Sequence, residues 1–184
     1  MSRNYKGGRV SIREVISLVN KMQADGVIDG YAIGGAVGAT FFLEPISTLD
    51  IDIFVPFQAS GPSLVINPQP IFDYLKARGG VMKGEYVVLE GWPVQFLPPN
   101  GPLVEEALRV AVTMDVDGVP AKVFSAEHLA AVALQTGRPK DKARLLQFIE
   151  SGVLDRSSFH EIINRHGLAS AWSLFKKNFL DDQV

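Results

Sequence analysis

A chain of 184 residues has room for one domain, or one domain with a small appendage, and can bury roughly 70% of the surface it exposes when unfolded. Its 18 Lys plus Arg stand against 20 Asp plus Glu, for a formal charge of −2; this excludes attachment to nucleic acid or membrane by bulk positive charge. The lack of cysteine excludes a disulfide framework, a thiol nucleophile and a Cys-ligated zinc, and three histidines leave little for a His-rich metal centre.

The N-terminal Met-Ser-Arg-Asn-Tyr-Lys-Gly-Gly is polar and carries no apolar core of a signal peptide. Residues 31–43, the longest weakly polar stretch, are glycine-rich and fall short of the ~20 residues of a membrane span. A cytoplasmic protein with no membrane partner is the expectation. Ser11 and Glu14 have capping-box spacing and open a helix with Val15, Leu18, Val19 and Met22 on one face, closed by Gly26. Residues 31–33 are short and apolar and run into Gly34-Gly35, and 36–43 read as a short buried helix. Residues 49–55 alternate as a strand with one face in the core. A helix over 70–78 turns Ile71, Tyr74 and Leu75 inward and ends at Gly79-Gly80. Strands at 85–89 and 94–97 flank a Glu90-Gly91-Trp92-Pro93 turn. A helix over 104–110 and a hairpin about Asp117-Gly118 complete this part.

After Phe124 the pattern becomes helical. Helices are expected over 125–136, stopped by Gly137, and over 140–150. A third starts at Ser158 with Glu161 as its box partner, and a fourth spans 169–179 with Trp172, Phe175 and Phe179 at helical spacing. The chain thus divides into an α/β part over residues 1–124 and a helical part over 125–184 packed on it.

The chemistry-bearing segment is Gly34-Gly35-Ala36, a short helix, and then Thr48-Leu49-Asp50-Ile51-Asp52-Ile53. In a strand, Leu49, Ile51, Ile53 and Val55 share the buried face, so Asp50 and Asp52 share the other, with Cα atoms ~7 Å apart. Carboxylates held so repel each other, and a divalent cation relieves the repulsion. Hard oxygen ligands suit Mg²⁺, which takes one or two carboxylates plus substrate phosphates. The glycine pair lets backbone N–H groups approach a phosphate. Alone, Gly-Gly reads as a turn and Asp-x-Asp as solvated strand polarity; it is their combination across two strands that is specific.

At these residues the sequence resembles the nucleotidyltransferase superfamily that includes DNA polymerase β. The run Glu127-His128-Leu129-Ala130 through Leu134-Gln135-Thr136-Gly137-Arg138-Pro139-Lys140-Asp141 is similar to small bacterial members related to the AbiEii-type toxins. The resemblance implies an α/β (α+β) fold, a mixed sheet with flanking helices followed by a C-terminal helical bundle. It further implies Asp50 and Asp52 as catalytic ligands of two Mg²⁺ ions, Gly34 and Gly35 against the phosphates of an NTP, and Thr48 orienting the strand end. The reaction implied is transfer of a nucleoside monophosphate to a hydroxyl of RNA, protein or a small molecule. The sequence departs from the pattern at Gln95, which stands where a third carboxylate is expected and is at best a weak metal ligand. Ile46 and Ala133 stand where Arg and Lys are frequent. A lapsed member that binds a nucleotide or a protein partner, within a toxin–antitoxin pair, is therefore the alternative.

In the basic cluster of Arg138, Lys140, Lys142 and Arg144, Arg138 and Lys140 are the candidates to meet phosphates. The plainer reading is a solvated helix start with Asp141 favoured by the dipole. His128 reads as a packed histidine, Trp172, Phe175 and Phe179 as a helix seam, and Trp92 as core.

Overall fold

The computed structural model describes residues 12–44, 50–56 and 67–180. Helix α1 (Ile12–Ala24) buries Val15, Ile16, Val19 and Met22; Ser11, its expected cap, lies outside the described residues. Strand β1 (Ala32–Ile33) leads into α2 (Gly35–Ala39), which continues as turns to Leu43, and then comes β2 (Ile51–Phe54). Helix α3 (Gln69–Lys76) precedes β3 (Val81–Lys83), β4 (Tyr86–Leu89) and β5 (Trp92–Leu97). Helix α4 (Pro102–Arg109), the hairpin β6 (Val112–Val116) and β7 (Val119–Val123), and helices α5 (Ala126–Thr136), α6 (Pro139–Ser151), α7 (Arg156–Arg165) and α8 (Ala169–Phe179) follow.

The described strands form one seven-stranded mixed sheet in the order β3-β4-β5-β2-β1-β7-β6. At its centre β2 runs parallel to β5 and antiparallel to β1, and β1 runs parallel to β7. The β6–β7 turn is Asp117-Gly118, with φ of 51° and 82°, the two positive values that a tight hairpin matched to strand twist needs.

The alternation read in β2 has its physical cause in the sheet's two faces. Ile51, Ile53 and Val55 are buried against α1 and α3, in a core shared with Ile33, Val87, Val94, Phe96 and Val123. Burying each such side chain contributes about 1.5–3 kcal/mol, so a one-residue slip that exposed them is strongly resisted. Ala32, Phe54 and Phe124 point the other way, into a second core with α4, α5, Leu145 and Phe148 of α6, and Phe159 and Ile163 of α7. This second core joins the last sheet residues to the helices after Phe124.

Three local expectations are corrected. Residues 81–83 form an edge strand that the sequence did not announce. The β4–β5 turn is only Glu90-Gly91, because Trp92 and Pro93 already pair with Leu89 and Val88. Helix α7 starts at Arg156, capped by Asp155, whose carboxylate accepts the Ser158 N–H at 2.7 Å. An ionised acceptor at that spacing outcompetes the Ser158 hydroxyl as cap. Among the described residues no helix is long and apolar enough to cross a membrane.

Candidate functional site

The sheet face opposite α1 and α3 is not wholly covered. Between it and the α5–α6 pair lies a cleft of about 770 Å³, lined by residues from β2, β4, β5, α2, α5 and α6.

Strand pairing builds its floor. Asp52 and Gln95 are direct partners across β2 and β5, on adjacent strands about 4.8 Å apart. The β4–β5 register, Val87 with Val94, sets Tyr86 beside Gln95. On the other flank the Gly34 N–H donates to the Asp52 carbonyl at 3.0 Å, and the Phe124 N–H to that of Ile33 at 3.0 Å. A row of Tyr86, Gln95, Asp52, Gly34 and Phe124 thus crosses the sheet, and Asp50 stands two residues before Asp52 on the same face. Asp50, Asp52, Gly35, Tyr86 and Gln95 all line the cleft; Gly34 is tied to it through the Asp52 carbonyl.

Both glycines are required by contact. Gly35 has φ of +58°, and a Cβ there would run into the Asp52 carboxylate; a Cβ on Gly34 would strike the rings of Phe54 and Phe124. These rings lie 4.9 Å apart, centre to centre, and both line the cleft.

The opposite wall is cationic. Arg138, Lys140 and Arg144 of the α6 region line the cleft. Positions 140 and 144 fall on one helical face, whereas Lys142 turns away, its Nζ 5.9 Å from the centre of the Phe179 ring. Asp141 is not the solvated first-turn acid that the sequence suggested. It is 2% exposed, accepting from Arg138 Nε at 2.6 Å and lying 3.6 Å from Arg144 Nη1. This pairing anchors two of the three cations.

The electrostatics follow from that layout. Burial, and then the neighbouring Asp50 charge, push the Asp52 carboxyl above its ordinary value, while Lys140, Arg144 and Arg138 pull it back. A cation between the two aspartates would relieve both the like-charge repulsion and the desolvation of Asp52. The donor set, two carboxylates and the Gln95 amide carbonyl, fits a hard divalent ion such as Mg²⁺. Among the described residues no three His, Cys, Asp or Glu come together to hold a metal; the side chain beside Asp52 on β5 is the Gln95 amide.

The cleft therefore gathers Asp50, Asp52, Gly35, Gln95, Arg138 and Lys140 as the sequence reading grouped them. Thr48, and Ile46 with it, lie outside the described residues. Tyr86, Thr136 and Gln147 were not singled out from sequence, and Arg144 stood in the basic cluster behind Arg138 and Lys140; strand register and helix phase bring them to the cleft. Ala133 is buried on the α5 wall. His128 is packed elsewhere, 5% exposed, with Nδ1 2.9 Å from the Ser125 hydroxyl and Nε2 3.4 Å from Glu106. Trp172 stacks on Phe175, which meets Phe179, and Trp92 packs partly buried against the first core.

This architecture is a nucleotidyltransferase-like fold. Over 93% of this chain and 89% of the other, it matches the crystal structure of an antigenic nucleotidyltransferase-like protein from Paracoccidioides brasiliensis, with a TM-score of 0.61 at 17% sequence identity. ANT(2'')-Ia in complex with adenylyl-2''-tobramycin matches over 88% of this chain and 98% of that one, with a TM-score of 0.54 at 14% identity. No family model matches the sequence, and no curated protein does.

Proposed function

We propose that the chain is a metal-dependent nucleotidyltransferase that moves a nucleoside monophosphate from an NTP to an acceptor hydroxyl. The observation that carries this reading is the pair Asp50 and Asp52 on one cleft face, opposite Arg138, Lys140 and Arg144. A carboxylate pair facing fixed cations suits a metal-bound polyanion. The neighbour ANT(2'')-Ia is seen with adenylyl-2''-tobramycin, a molecule carrying an adenylyl group.

In this reading Asp50 and Asp52 hold Mg²⁺, with Gln95 as a weak third ligand. The Gly35 backbone lies against the phosphates, Gly34 being held by its N–H to the Asp52 carbonyl, and Arg138 and Lys140 bind the triphosphate. When bound, Mg²⁺ neutralises charge on the transferring phosphoryl and on the attacking and leaving oxygens. The acceptor oxygen bonds to the α-phosphorus as its proton passes to solvent, the bond from that phosphorus to the bridging oxygen breaks, and pyrophosphate leaves. The fixed cations of the α6 wall take up charge on the pyrophosphate without reorganising.

The test is pyrophosphate release from each of the four NTPs with Mg²⁺, using an extract of small molecules and RNA as the acceptor source. Release by the wild type well above that of Asp52→Asn is expected; equal release from both would overturn the reading. A second reading has its own observation, Gln95 in register with Asp52. On it the chain binds Mg²⁺ and NTP without transferring, within a toxin–antitoxin pair with a protein partner, and Gln95→Asp restores turnover.

A further inference from the structure

We infer that this cleft holds one divalent cation with its nucleotide, not two, and that the cations of the α6 wall, Arg144 foremost, stand in the second ion's place. The inference rests on the nucleotide reading of the site and concerns how its charge is balanced.

Two-metal sites hold their ions ~3.5–4 Å apart, and two divalent charges that close repel with four times the energy of unit charges at the same distance. Such a pair needs carboxylates that serve both ions. Among the described residues, the acids lining this cleft are Asp50, Asp52 and Asp141. Asp141 is 2% exposed and engaged by Arg138 and Arg144, so it serves the wall and no ion. The position beside Asp52 on β5 is Gln95, neutral at every pH. Glu85 precedes β4 and Glu90 sits in the β4–β5 turn; neither lines the cleft. The two remaining charges match one divalent ion.

Arg144 has its side chain 11% exposed, with Nη1 3.6 Å from Asp141. Its Nε is fully buried and has no hydrogen-bond partner among the described residues. The guanidinium, which lines the cleft, is always charged and presents planar donors suited to phosphate oxygens. Arg144 lies one helical turn beyond Lys140, about 6 Å along α6. Together with Arg138 the three cations form a charged wall that a second divalent ion would have to approach, and that a phosphate chain would welcome.

The experiment is equilibrium dialysis of the full chain with Mn²⁺ and inorganic tripolyphosphate, a probe independent of base preference. Mn²⁺ shares the octahedral oxygen chemistry of Mg²⁺. The expected result is one protein-bound Mn²⁺ per bound tripolyphosphate in the wild type and two in Gln95→Asp, with Gln95→Glu as a second variant if the first folds poorly. Arg144→Gln should raise the tripolyphosphate dissociation constant about tenfold or more while the ion count stays at one. Two ions in the wild type would overturn the inference and leave the nucleotide site standing. An unchanged dissociation constant in a folded Arg144→Gln would remove Arg144 from it. No retained Mn²⁺ or tripolyphosphate in the wild type would overturn the site reading itself.

Discussion

Replacing Gly35 with alanine perturbs the backbone and the carboxylate it cradles in one step. At φ of +58° an L-residue costs about 1–2 kcal/mol relative to glycine. The added Cβ also meets the Asp52 carboxylate, and forcing an atom into filled space costs about 1–3 kcal/mol more. Gly152 provides the matched control, with φ of +70° and nothing within 4 Å of the point an added methyl would occupy; Gly152→Ala should lose the 1–2 kcal/mol of strain alone. Urea denaturation should therefore separate the two variants by about 1–3 kcal/mol, with Gly35→Ala the weaker. Mg²⁺-dependent NTP binding should be lost in Gly35→Ala, because the Asp52 carboxylate is displaced, and kept in Gly152→Ala. Equal stabilities to within about 0.5 kcal/mol, together with intact NTP binding in Gly35→Ala, would refute the claim that the glycine exists to admit Asp52.

Asp52→Asn should be more stable than the wild type at pH 7 without metal. The folded carboxyl titrates above its unfolded value of 3.8, so the native state holds the proton longer. Wild-type stability then falls as pH rises through that window, and the two proteins converge below pH 3.8 in pH-dependent urea melts. Glu106 behaves in the opposite sense. Arg165, and then His166 and His128, hold it down to about 2 from 4.5, so its contribution is present above pH 4.5 and lost as pH falls towards 2; Glu106→Gln should flatten that acid limb. At neutral pH the same variant should lose about 1–2 kcal/mol in urea, a charge-assisted value discounted because Arg165 is half exposed. Phe148→Ala, at a fully buried α6 position, should cost about 3–5 kcal/mol by chemical denaturation.

The central strand was legible because its pattern has a single cause: a residue of β2 either faces the α1–α3 core or the cleft, and Ile51, Asp52 and Ile53 record that choice one by one. The α8 boundaries were legible for a similar reason, an apolar stripe of period 3.6. Residues 81–83 escaped notice because an edge strand with Val81 more than half exposed has no buried face to write an alternation. The cap at Asp155 was missed because two good capping residues stand three apart, and only the backbone decides between them. Within the site, Asp50, Asp52 and the glycine pair are close in sequence and so readable as a unit. Tyr86 enters only through β4–β5 register, and Arg144 parts from Lys142 only through helix phase. Asp141 pairs with Arg138 and Arg144, each three residues away, a spacing that reads equally as a solvated helix start and so does not announce its burial.

The most direct test of the central claim is calorimetric titration of the protein with each of the four NTPs, with and without Mg²⁺, beside Asp50→Asn and Asp52→Asn. NTP binding that requires Mg²⁺ and is lost in both variants, while their melting remains cooperative, is the expected result. Binding indifferent to Mg²⁺, or unchanged in both variants, would contradict it.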